Sequence, residues 1–140
     1  MSGGRHEGPA AQLRAMDARA RKSLGQHFLS SPSVAQRIVQ LAVVGQGSRV
    51  LEVGPGLGAL TEHLLAAGVQ LTAVERDERL ADQLAERWPQ IELIRDDAMK
   101  VDWAGHLEGG GWTCVSNLPY NVGTHIVSRM VRTPQTFTRL

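Results

Sequence analysis

Arg49-Val50-Leu51-Glu52-Val53-Gly54-Pro55-Gly56-Leu57-Gly58-Ala59-Leu60-Thr61 is the stretch on which the fold of this chain turns. Its first five residues are mostly Val and Leu and read as a short buried strand. Three glycines follow at alternate positions, so the backbone can turn sharply and a ligand can approach without meeting Cβ atoms. Helical spacing resumes at Ala59, and the new helix presents free N–H groups to whatever lies over the turn. Strand, glycine turn and helix in that order form the opening of a βαβ unit.

Outward from this unit the same alternation continues. Towards the amino terminus, Ser31-Pro32-Ser33 precedes Val34, Ile38, Leu41 and Ala42 at helical spacing, with Ser31 or Ser33 as N-cap and Gly45 and Gly47 as the stop. Towards the carboxyl terminus, the helix Ala59–Ala67 is closed by Gly68, and Val69–Val74 forms a second strand. Asp77–Trp88 then places Leu80, Leu84 and Trp88 on one helical face before Pro89. Ile91–Ile94 and Thr113–Ser116 read as the third and fourth strands, and Val122–Val131 as a helix stopped before Pro134. The expectation is an α/β fold with a mostly parallel, doubly wound sheet. Such sheets continue beyond their switch point, so a chain ending after the fourth strand and its helix is expected to be truncated.

Composition is ordinary for one domain: 140 residues, 42% hydrophobic and 21% charged. A single cysteine, Cys114, excludes an internal disulfide, and the scattered His63, His106 and His125 offer no metal spacing. Without a signal-like h-region or a membrane-length apolar run, a cytoplasmic, monomeric chain with no membrane or metal partner is the default expectation. The net charge of +1 is unevenly spread. Residues 1–25 hold five basic and two acidic side chains, net +3, leaving −2 for the remainder. Residues 1–20 are expected to be a disordered basic arm, suited to a polyanion but equally explained as a solvated tail. Residues 21–140 are expected to form the domain.

The glycine turn has an acidic companion. Glu75 ends the second strand about 20 residues on, where a carboxylate can accept from both hydroxyls of a ribose. Gly54, Gly56 and Gly58 with Glu75 suit two cofactors, a nicotinamide dinucleotide and S-adenosyl-L-methionine. Glu52 leans towards the second, because a carboxylate there would repel a pyrophosphate and attract a cationic methionyl sulfonium. Asp97, after the third strand, is placed to accept from an adenine amino group, although Asp96-Asp97 also suits a solvated turn.

Ser116-Asn117-Leu118-Pro119-Tyr120 lies at the end of the fourth strand, the edge where open α/β sheets bind ligands. An exocyclic adenine amine is a weak nucleophile. The Asn117 side-chain oxygen and the carbonyl of Leu118 or Pro119 can accept its two N–H bonds and stabilise the charge that develops on nitrogen. Pro119 fixes the turn, and Tyr120 offers an aromatic face to an extruded base.

These motifs, with Arg21-Lys22-Ser23-Leu24-Gly25-Gln26-His27-Phe28-Leu29 ahead of them and Asn121 after, resemble the ribosomal RNA adenine N6-dimethyltransferase family, and within it the bacterial small-subunit branch. The likeness runs from about residue 19 to the end. It implies a Rossmann-like class I S-adenosylmethionine-dependent methyltransferase fold, with His27 and Leu29 touching the cofactor and Gly54 lining its methionine end. It further implies Glu75 on the ribose, Asp97 on the adenine, and Asn117 between cofactor and target base. The implied reaction is N6,N6-dimethylation of two adjacent adenines in a hairpin loop near the 3′ end of small-subunit rRNA, with the immature 30S particle as partner. Members of the family continue into further strands and a helical RNA-binding domain. A large-subunit (23S) methyltransferase of the macrolide-resistance type is the near alternative. An NAD-binding oxidoreductase or a non-catalytic ribosome-assembly RNA-binding module are the distant ones, and neither needs Asn117.

Overall fold

A computed structural model of the chain describes residues 31–118 and 120–140, with the backbone alone at Tyr120. The arm at 1–20, together with His27, Leu29 and Pro119, lies outside the described residues. The elements are α1 (Pro32–Ala42), β1 (Arg49–Val53), α2 (Ala59–Ala66), β2 (Gln70–Val74), α3 (Glu78–Arg87), β3 (Glu92–Ile94), α4 (Trp103–His106), β4 (Trp112–Cys114), α5 (Tyr120–Val131) and β5 (Phe137–Arg139). All strand pairings are parallel, in the order β3-β2-β1-β4-β5. The order reverses between β1 and β4, the switch point of a doubly wound sheet.

Several elements differ from the sequence reading: the short helix α4 has no counterpart in it, and β4 spans Trp112–Cys114 rather than Thr113–Ser116. A fifth strand, β5, pairs with β4 beyond the expected last helix, with Trp112 opposite Phe137. Three residues give too short a pattern to register as a strand, and Pro134 beside them reads as a stop. Helix α1 ends at Val43, not at the glycines, because Val43 itself takes the left-handed conformation at φ 53°. Of the two serines, Ser31 is the N-cap, and its hydroxyl contacts that of Ser33 at 2.9 Å rather than a helix N–H.

Side-chain alternation along the strands feeds two apolar layers. Val50, Leu71 and Ala73 meet Ala35, Leu60, Leu64 and Leu84 from α1, α2 and α3. Leu51, Val53 and Val74 meet Val101, Trp103, Ile126, Met130 and Phe137 on the opposite face. Trp103 packs edge-on against Phe137 at 5.8 Å, and Trp112 is buried, so both act as core residues. Among the described residues, no helix is long and apolar enough to cross a membrane.

Candidate active site

Parallel strands bring every strand-end motif to one edge of the sheet. The turn after β1, Glu75 after β2, Asp97 after β3 and Asn117 after β4 all follow the carboxyl ends of their strands.

The turn is held from both sides. The Gly54 N–H donates to the Val74 carbonyl at 2.8 Å, and the Gly56 N–H donates to Glu75 Oε1 at 3.2 Å. Gly56 adopts φ 59°, and a Cβ built on it would meet nothing within 4 Å, so open space lies over the turn. Gly58 is required for another reason. A Cβ there would fall 2.4 Å from the Trp88 ring, which packs under the start of α2.

Glu75 is buried, and its second oxygen accepts from the Asp77 N–H at 3.0 Å. Burial pushes its pKa up, against the pull of the backbone N–H groups of Asp77 and Gly56. Each carboxylate oxygen retains a lone pair beyond these bonds, which is what hydroxyl donors of a sugar would need. The Asp77 side chain caps α3 at Arg79 and Leu80, so the start of that helix fixes the position of Glu75.

Glu52 is only 2% exposed and faces the Val50 side of the sheet. Its Oε1 accepts from the Thr61 hydroxyl at 2.5 Å. Burial raises its pKa from 4.5 to about 8, with Thr61 pulling it down and nearby Glu75 pushing it up. Glu52 is thus a buried, proton-holding acid beneath the turn. It does not present the charge by which the sequence reading favours a sulfonium over a pyrophosphate. Thr61, itself fully buried, is its partner. The sequence carried one sign of that pairing, a hydroxyl residue on the core face of α2.

Asp97 forms a built turn. Its Oδ1 accepts from the Met99 N–H at 2.9 Å, its carbonyl accepts from Lys100 and Val101, and Arg76 lies 3.5 Å from its Oδ2. The turn geometry and a cofactor role are compatible, since the side chain remains partly accessible.

On the other side of the switch point, the Val53 N–H donates to Ser116 Oγ at 2.7 Å, and the Val115 N–H donates to the Leu51 carbonyl at 3.0 Å. These bonds dock the segment after β4 onto the end of β1. Leu118 Cδ2 then reaches within 3.8 Å of where a Gly54 Cβ would stand. Asn117, half-buried between Ser116 and Leu118, sits beside the glycine turn as a result. Ser116 is a site residue whose role the sequence reading missed; a serine at the end of an otherwise apolar strand was its only signal. Cys114 is no nucleophile, because burial pushes its thiol up to about 11. In the Gly109-Gly110-Gly111 stretch all three glycines take positive φ, and the Arg49 guanidinium donates to the Glu108 and Gly109 carbonyls. An open cavity of about 300 Å³ beside Thr72, Glu92, Ile94 and His106 flanks β3 and is separate from the switch point.

A five-stranded parallel sheet with this strand order, a glycine turn after β1 and an acid after β2 is the Rossmann-like arrangement shared by dinucleotide-binding proteins and class I S-adenosylmethionine-dependent methyltransferases. The likeness to solved methyltransferases assigns this chain the second fold. The model of the ribosomal RNA adenine dimethylase family matches residues 17–139, and the chain belongs to that family. Ribosomal RNA small subunit methyltransferase A of Caulobacter vibrioides is 47% identical over 119 residues, covering 82% of this chain and 46% of that protein. The Geobacter sulfurreducens protein of the same name is 40% identical over 134 residues, covering 91% and 49%. The chain thus spans about half the length of these relatives. Among solved structures, the 23S rRNA methyltransferase ErmE is similar with a TM-score of 0.66 and 29% identity, covering 78% of this chain and 45% of that one. A dimethyladenosine transferase from Plasmodium falciparum gives a TM-score of 0.64 at 22% identity, covering 76% and 39%.

Proposed function

We propose that this chain is the cofactor-binding part of an S-adenosylmethionine-dependent enzyme that dimethylates N6 of two adjacent adenines in a hairpin loop near the 3′ end of small-subunit rRNA. The observation that carries this reading is the docking of Asn117-Leu118 beside the glycine turn through Ser116 and Leu118. A nicotinamide dinucleotide site would need the turn and Glu75 but gives Asn117 no role. Asn117, in the segment docked beside that turn, supplies the amide acceptor that methyl transfer to an adenine amine needs. The small-subunit assignment rests on the 40–47% identity to the two relatives described.

The acceptors present fit the cofactor. Open space over Gly56 admits it, Glu75 accepts from the ribose hydroxyls, and Asp97 accepts from the adenine amine. By family resemblance, His27 and Leu29 are further contacts of the cofactor. Bound S-adenosylmethionine supplies a methyl group already activated on a sulfonium. The protein therefore has to orient the target amine rather than generate a strong base. The Asn117 Oδ1 accepts one amine N–H, and a carbonyl at Leu118 or Pro119 accepts the other. Both acceptors stabilise the positive charge on nitrogen, and the proton leaves to water. Tyr120 stacks on the base once it leaves its loop.

The test is competition binding of RNA to the chain saturated with S-adenosylmethionine. A hairpin from the 3′ end of small-subunit rRNA is expected to compete better than a large-subunit hairpin. The same hairpin with its two loop adenines replaced should compete less well, and Asn117→Ala should erase that difference. A preference for the large-subunit hairpin would favour the reading that the likeness to ErmE supports. Equal binding of all RNAs by the parent chain would contradict an adenine-specific site.

A further inference from the structure

Arg129 stands at an unusual place on α5. It follows Ile126 by three residues and precedes Met130, and both of those are buried in the core. The helical period therefore directs a guanidinium inward, where an unpaired cation would be costly. It is not unpaired. Arg129 Nη1 donates to the Ala98 carbonyl at 2.5 Å and Nη2 donates to the Val101 carbonyl at 2.7 Å. Its carbon end lies 5.6 Å from the Trp103 ring centre.

Both carbonyls belong to the turn that Asp97 begins, the turn whose inner bonds run from Met99, Lys100 and Val101 back to Asp97. Helix α5 itself begins at Tyr120, within the substrate motif. One planar fork thus joins the helix after Asn117 to the loop that carries Asp97. A lysine cannot reproduce it, because an ammonium lacks two donors in a fixed plane.

We propose that Arg129 is a positioning residue that holds the Asp97 turn in register for the cofactor adenine, and so ties the adenine pocket to the substrate motif. The inference rests on the methyltransferase reading above. Arg129 touches neither ligand. It acts by fixing the Ala98 and Val101 carbonyls, which sets where the Asp97 carboxylate points. The neighbouring Ala98 and Val101 are both buried, so the turn has little freedom while the fork is in place.

The test is a calorimetric titration of the 140-residue chain with S-adenosylhomocysteine and with S-inosylhomocysteine. The second presents a carbonyl in place of the adenine amine, so a well-placed Asp97 carboxylate should reject it. The parent chain is expected to prefer the adenosyl ligand by on the order of tenfold or more. Arg129→Met should reduce that preference to about twofold, with Arg129→Lys between them and Asp97→Asn losing the preference outright. A purely structural Arg129 would weaken both ligands alike and leave their ratio unchanged. If Arg129→Met does not fold, the Arg129→Lys ratio decides. An unchanged ratio in a folded variant overturns the proposal. Failure of the parent chain to bind either ligand overturns the methyltransferase reading as well, and the two failures are thereby told apart.

Discussion

The two sides of the switch point are built differently. Between β1 and β2 the pairing runs through five residues, Arg49 to Val53 opposite Gln70 to Val74, and the glycine turn and Glu75 are tied by backbone N–H groups. Between β1 and β4 only Val50 and Leu51 are in register with Thr113 and Cys114, and the β4–β5 pairing shifts between Trp112 and Thr113. The cofactor side is thus set by main-chain geometry, whereas the substrate side, beyond the main-chain bond from Val115 to Leu51, is held by individual side chains: Ser116, Leu118 and Arg129. Changes on the first side should strike the pocket itself. Changes on the second should loosen how Asn117 meets it.

The largest effect is expected from Gly56→Val. A β-branched residue in the left-handed region is strained, and its methyls would occupy the open space over the turn. Calorimetry should show S-adenosylmethionine affinity falling by at least about a hundredfold, equivalent to about 3 kcal/mol. Ser116→Ala follows. It removes the acceptor of the Val53 N–H and should lower stability by about 1–2 kcal/mol in denaturant unfolding. Cofactor affinity should fall less than stability does, which separates the substrate side from the pocket.

Glu52 gives a pH signature on the cofactor side. Its folded pKa of about 8 exceeds the ordinary 4.5, so between these values the folded chain holds a proton that the unfolded chain has released. Stability therefore falls as pH rises through that window, by up to the order of 1.4 kcal/mol per pH unit. Urea unfolding from pH 5 to 8 should show that slope in the parent chain and a flatter one in Glu52→Gln. An identical slope in both would contradict a buried, proton-holding Glu52. The smallest effect is expected at Val43, far from both sides of the site. Val43→Gly relieves the left-handed strain at the end of α1, and should raise stability by up to about 1 kcal/mol in thermal unfolding.

Legibility in the sequence followed the same division. The β1 strand, the turn, Glu75 and the helices around them are local patterns, and the strand–helix alternation implied the parallel sheet. Strand β5 escaped because three residues after a proline carry no period, and it exists by pairing with β4. The partner of Glu52, the clamp at Ser116 and the fork at Arg129 escaped for a related reason. Each joins residues 9, 63 or about 30 positions apart, a distance that only the folded sheet closes. At Asp97 the turn that the sequence allowed is present, built on its Oδ1 and carbonyl while Oδ2 faces Arg76.

The central claim is that the glycine turn and Glu75 form a pocket for a sulfonium nucleoside rather than for a dinucleotide. The most direct measurement is a calorimetric titration of the purified chain with S-adenosylmethionine, run in parallel with NAD and repeated on Glu75→Gln. The account predicts saturable binding of S-adenosylmethionine, no binding of NAD, and an affinity loss of at least about tenfold in the variant, from one weakened charged hydrogen-bond acceptor. Binding of NAD in preference to S-adenosylmethionine, or no binding of either by a chain shown to be folded, would contradict it.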